Sequence, residues 1–197
     1  MKQDKLKLLG IKKILWPVRD VGLKPRGGPM RALFGLLPGT SGISQDLADF
    51  LKGVQLFEDL EVGQLKRLAR LVHIRNYRDG EDIFEQGKPG AAMFVLRAGC
   101  VDILRRGHND VELLLATLEP PASIDESALM AAGTMHWFTA RARGPVSMVA
   151  FGRSDLEALN QNFPVLANKV LAKLAQVTAL RLQMLVEELT REQKDPE

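Results

Sequence analysis

The segment 77–101, YRDGEDIFEQGKPGAAMFVLRAGCV, decides the fold. It holds short apolar runs, Ile83-Phe84 and Met93 to Leu96, separated by Gly80, Gly87, Gly90 and Gly99. Tight connections between short strands need positive φ, which glycine adopts without strain. The same texture extends both ways, through HIRNYR (73–78), DIFEQ (82–86), MFVLRA (93–98), CVDILRR (100–106), VELLLATL (111–118), WFTARA (137–142) and VSMVAF (146–151). Gly107 and Gly144 add further breaks. Many short strands at regular spacing predict a sandwich or barrel.

Helical signals flank this β region. Ser44 is placed to cap a short helix through Leu51, closed by Gly53, and a second helix is expected over Glu61–Leu71, with Leu65, Leu68 and Leu71 on one face. After Arg153 a short helix near Asp155–Asn160 is expected. Pro164 then opens one long helix to about Lys194. Its stripe Leu166, Val170, Leu174, Val177 and Met184 is widened by Leu171, Leu182, Leu185 and Leu189. A surface helix needs one stripe for its own core. The second either meets a partner or covers loops and the N-terminal arm.

The first 43 residues read differently. Residues 2–18 permit a short helix with Leu8, Ile11, Ile14, Leu15 and Val18 on one side, weakened by Gly10 and Pro17. A stretch rich in glycine and proline follows, in which Met30–Leu37 could dock onto something. Of the 27 Lys and Arg in the chain, nine fall in residues 1–31 against Asp4 and Asp20, a local charge of +7. The remainder carries 18 basic and 22 acidic residues, or −4, so the overall +3 belongs to the arm. A basic globular face for nucleic acid is not indicated.

The 197 residues are 46% hydrophobic and 26% charged, which suits one domain with extensions. No apolar run reaches the roughly 18 residues of a membrane span, and no signal peptide is apparent. With a single cysteine, Cys100, read as a buried small hydrophobe, a cytoplasmic protein is expected. His73, His108 and His136 lack zinc-site spacing, and no Ser/His/Asp, P-loop or dinucleotide fingerprint occurs. No metal, cofactor or enzyme activity is expected.

Leu56-Phe57, Tyr77 to Ile83, Gln86-Gly87, Met93 to Leu96 and Ala98 to Val101, taken in order, resemble the opening pattern of the cyclic-nucleotide-binding domain family, which includes the catabolite activator protein and kinase regulatory subunits. The resemblance covers about three quarters of the chain, as 142 of its 197 positions from Leu51 to Glu192. It implies a mainly β fold with flanking helices, a jelly-roll-like double-stranded β-roll plus a long C-terminal helix. The implied division is a basic arm and linker (1–43), a helical lead-in and β-roll (44–163), and a closing, dimerising helix (164–197).

The family's phosphate-binding cassette corresponds to Pro121–Ala142, where Glu126, Ala128 and Leu129 match its core. By that correspondence Glu126 would hold a ribose hydroxyl, and the N–H groups of Ser127, Ala128 and Leu129 would cradle the cyclic phosphate. Three positions depart from the pattern. Asp125 replaces a glycine, His136 replaces the phosphate-pairing arginine, and Trp137, in a small polar position, is bulky enough to fill the cavity. Ser123-Ile124-Asp125-Glu126 also reads as a capping box that would occupy Glu126 locally. Adenine-contacting hydroxyls are not evident midway along the long helix, where Arg181 and Leu182 stand and Thr178 is one turn early.

The expectation is a regulatory or scaffolding module with a degenerate pocket, acting through protein contacts. The competing reading is a genuine cyclic AMP or cyclic GMP receptor using Glu126 and His136; a third is a tethered subunit of a larger assembly. A homodimer is expected through Leu166, Val170, Val177 and Met184. The arm is expected to meet a protein groove, with a membrane surface as the alternative and nucleic acid disfavoured.

Overall fold

Alternating side chains over 92–106 and 139–152 give two long strands, β3 (Ala92–Arg106) and β6 (Thr139–Gly152), paired antiparallel along most of their length. In the computed structural model, residues 40–107 and 111–194 are described. Around that pair stand β1 (His73–Tyr77) and β2 (Asp82–Phe84) on β6, and β4 (Glu112–Leu118) and β5 (Ala122–Ile124) on β3. The result is one six-stranded antiparallel sheet forming a β-roll. Seven short runs were legible in sequence, but four of them merge pairwise. Gly99 and Gly144 therefore lie inside strands rather than between them. Gly99 has φ 88°, and a Cβ there would stand 2.4 Å from the Pro145 carbonyl oxygen. Strand β5 was not anticipated; it is only three residues long, too short to display a period.

Alternation divides the strand residues between two cores, because successive side chains point to opposite faces. Met93, Val95, Val149 and Phe151 face the helices, while Leu96, Val101, Ile103, Ala140 and Met148 fill the roll. Cys100, expected to be buried, is only half-buried.

The helices close over the first face. Helix α1 spans Thr40–Lys52, so Ser44 lies within it rather than capping it. A capping box of Glu61 and Gln64 fixes the start of helix α2 (Val62–Leu68). The helix ends three residues earlier than expected, where the Arg70 and Leu71 N–H groups donate to the carbonyls of Arg67 and Leu68 in tighter turns. Helix α3 (Glu126–Met130) is a single turn between β5 and β6. Helix α4 (Arg153–Asn162) leads into α5 (Pro164–Lys194), 31 residues long. None of the helices is long and apolar enough to cross a membrane, among the described residues.

Helix α5 corrects the expected interface. Leu166, Val170, Leu174 and Val177 are buried in the protein's own core with Phe57, Leu65, Leu68 and Leu159. Leu166, Val170 and Val177 therefore cannot meet a partner. Of the four residues singled out, only Met184 faces solvent, at 41% exposure. The stripe continues in sequence, but beyond Val177 the helix outruns the packed helices beneath it. The arm with its expected helix over residues 2–18, Met30–Leu37, His108 and the side chain of Leu189 lie outside the described residues.

Leu174→Ala should cost about 2–5 kcal/mol in urea unfolding, the range for truncating a fully buried leucine. Met184→Ala should stay within about 0.5 kcal/mol. Similar losses at the two positions would contradict this division of the helix.

Candidate functional site

The cassette segment 121–142 enters as β5, turns at Asp125, and forms α3 before returning to β6. Asp125 sits at φ 62°, ψ 36°. This left-handed conformation costs most residues about 1–2 kcal/mol, and aspartate tolerates it better than most. The resemblance puts a glycine there, and the backbone explains why. The expected capping box is not formed. Ser123 belongs to β5, Asp125 is the residue before α3, and it makes no side-chain cap.

The Ser123 hydroxyl instead donates to Glu126 Oε1 at 2.6 Å. Arg181, from the middle of α5, donates through Nη1 to the same oxygen at 2.8 Å, and its Nη2 stands 3.3 Å from Ser123 Oγ. A carboxylate expected to hold a ribose is thus clasped by a guanidinium of the same chain. Both partners are largely withdrawn from solvent, where such a pair is stronger than on an open surface and loss of one partner is correspondingly costly.

A second pair lies behind the first. His136 and Asp125 are both buried, with Nδ1 and Oδ2 2.7 Å apart. The His136 charge and this short polar approach both favour the ionised Asp125 carboxylate. The imidazole stacks on Phe84, ring centroids 4.2 Å apart. Its backbone is latched to the β2–β3 loop: Gly87 N–H donates to the His136 carbonyl, and His136 N–H to that of Lys88. Burial pushes the Asp125 carboxyl above its usual 3.8; the His136 charge opposes the shift and that of Glu126 adds to it.

Gly90 permits this proximity. A Cβ there would stand 2.6 Å from Ala128 Cβ and 3.0 Å from His136 Cε1, so only glycine lets the loop lie against the cassette. Arg153 pins the other side, its Nη2 donating to the carbonyls of Ala128 and Ala131.

These elements border a cavity of about 470 Å³ beneath the middle of α5. Asp125, Glu126, Ser127 and Trp137 line it, so the structure brings four sequence-selected residues together. His136 does not line it. Ala128 and Leu129 are fully buried, Leu129 in the helix-facing core. The Ala128 N–H, one of three expected to cradle an anion, donates to the Asp125 carbonyl. Trp137, expected to fill the cavity, is 66% exposed and forms part of its wall. Its neighbour Phe138 turns inward onto Phe84 instead. Sequence reasoning missed Arg105, Leu115, Phe138 and Leu185 here, and left Thr178, Arg181 and Leu182 without a role. Their helical spacing puts Thr178, Arg181, Leu182 and Leu185 on one side of α5, but nothing local to them points to Glu126, 55 positions away.

Comparison with known proteins gives a consistent picture. Residues 74–163 match the family model described as cyclic nucleotide-binding domain. A cyclic AMP receptor protein of Thermus thermophilus is 29% identical over 126 residues, 64% of this chain and 58% of that protein. The crystal structure of the Thermus thermophilus catabolite activator protein superposes with a TM-score of 0.63 at 28% identity, covering 71% of this chain and 63% of that one. The N-terminal domain of a transcriptional regulator from Streptomyces coelicolor gives 0.62 at 26% identity, covering 72% of this chain and 95% of that one. The chain thus spans 58% of the length of its curated relative.

The raised carboxyl of Asp125 sets a sign for pH dependence. A folded state that holds this proton more tightly than the unfolded chain gains stability below pH 3.8 and loses it as pH rises through the raised value. The stability of the unmodified protein relative to Asp125→Asn should therefore increase as pH is lowered from neutrality towards 3.8, read by urea unfolding at a pH series. A difference that is flat, or that shrinks on acidification, would contradict the assignment.

Proposed function

With residues 74–163 forming a domain of the cyclic nucleotide-binding family, we propose that this protein is a regulatory module whose pocket is closed to cyclic nucleotides and which acts through protein contacts. One observation carries the reading: Arg181 occupies Glu126 at 2.8 Å. A ribose hydroxyl would have to compete with a charged donor for that carboxylate. The phosphate faces a second obstacle, since His136, at the place of the family's phosphate-pairing arginine, is committed to Asp125. Losing one charge-assisted partner costs about 1.5–3 kcal/mol, roughly ten- to a hundred-fold in affinity. Neither obstacle involves a reacting group, so the module is read as regulatory rather than catalytic, and as cytoplasmic.

Cyclic AMP, cyclic GMP and cyclic di-GMP at millimolar concentration should leave the melting temperature unchanged, although a ligand at a hundred times its Kd would add about 2.7 kcal/mol. A shift of several degrees that disappears in Glu126→Ala would replace this reading with that of a true nucleotide receptor.

The contact surface proposed is the exposed part of α5, where Leu180, Met184 and Val186 lie in solvent. Leu180 and Met184, one turn apart on α5, fit a second copy of the chain, with residues 1–43 tethering the dimer to an acidic groove on another protein. In sedimentation at tens of micromolar, the full chain should be dimeric and Met184→Glu monomeric. Deleting residues 1–18 should leave the dimer intact, and neither form should pellet with anionic vesicles. A monomeric full chain sinks the dimer; vesicle binding lost with the deletion would make the arm a membrane anchor.

A further inference from the structure

We propose that the cavity beneath α5 takes an amphipathic monocarboxylic acid, with its apolar body against Leu115, Trp137, Phe138, Leu182 and Leu185 and its carboxylate on Arg105. The proposal rests on the reading of the pocket as closed to cyclic nucleotides, and names what the same cavity accepts instead.

Three observations carry it. First, the walls are chiefly apolar, and two large side chains on them stay in water: Trp137 at 66% and Leu182 at 61% exposure. A ligand body covering both removes apolar surface from solvent, which drives binding in proportion to area. A nucleobase would instead set polar edges against the apolar part of these walls, and such desolvation is unfavourable.

Second, the charges leave one cation over. Asp125 is held by His136 and Glu126 by Arg181. On β3 and β6, Arg106 faces Glu112, Arg141 faces Asp82 and Glu112, and Arg143 faces Asp102, while Arg97 does not line the cavity. Arg105 lines the cavity and makes no hydrogen bond or ion pair among the described residues. Its planar fork matches a carboxylate in two parallel hydrogen bonds. A single negative charge is preferred to a phosphate dianion, because Arg105 brings one positive charge and Arg181, the other arginine of the lining, is already paired with Glu126.

Third, a volume of about 470 Å³ lies within the range of small-molecule sites.

The test uses the full chain carrying Trp16→Phe, so that Trp137, the other of its two tryptophans, is the only emitter. Titrated decanoate should shift Trp137 emission to the blue and saturate below millimolar concentration. Arg105→Gln, an exposed substitution, should weaken decanoate about tenfold, the loss of one charge-assisted contact, while the response to decanol stays unchanged. Leu182→Asn should weaken both. The inference is overturned if decanoate gives no saturable shift, or if Arg105→Gln leaves its affinity unchanged. Cyclic AMP, titrated alongside, separates the two readings. Saturation by cyclic AMP refutes the closed pocket, whereas silence from both compounds refutes the carboxylate inference alone.

Discussion

The antiparallel ladder between β3 and β6 is the constraint on which the remaining structure depends. Both strands run the length of the roll, and every other strand pairs with one of them. Because their side chains alternate in direction, one ladder supplies two cores: Val95 and Val149 look towards the helices, Leu96 and Met148 into the roll. A slip of one residue would exchange the two sets and expose both. Gly99 absorbs the irregularity in that ladder where the chain passes closest to Pro145.

The cassette leaves this ladder through β5, packs Leu129 into the helix-facing core, and is further fixed by polar contacts. Arg153 holds its carbonyls, Gly90 lets a neighbouring loop close upon it, and His136 joins Asp125 to the stacked Phe84. Glu126 is then tied to α5 by Arg181. The pocket is thereby internally neutralised along its acidic side. Withdrawn carboxylates without such partners would bear a large desolvation cost. The same pairing that makes the acids tolerable there makes them poor receptors for an incoming sugar or phosphate.

Helix α5 does different things along its length because its surroundings change. Through Val177 it lies on packed leucines and is itself core. From Thr178 to Leu185 one side borders a cavity rather than a packed wall. Leu180 and Met184 continue the core side beyond the packed helices, Val186 stands on another side, and all three remain in water. One apolar pattern in sequence thus serves three environments, which explains why it is wider than a single buried stripe requires.

Much of the fold was legible from residues 73 to 194. Period-two patterning, positive-φ glycines and the helix-opening Pro164 are local signals, set by steric rules that act within a few residues. They predicted a sandwich or barrel and the long helix, whereas the β-roll and the position of the cassette came with the family resemblance. They did not reveal that Gly99 and Gly144 lie within strands, because a bulge and a turn make the same demand on φ. Nor did they separate Val177 from Met184, whose side chains are equally apolar; burial depends on what lies opposite. The pairs that define the site, Glu126 with Arg181 and Asp125 with His136, were beyond the sequence for the same reason. Residue types decide which charges exist, whereas the folded chain decides which of them meet, because an ion pair acts through distance in space and not through separation along the backbone.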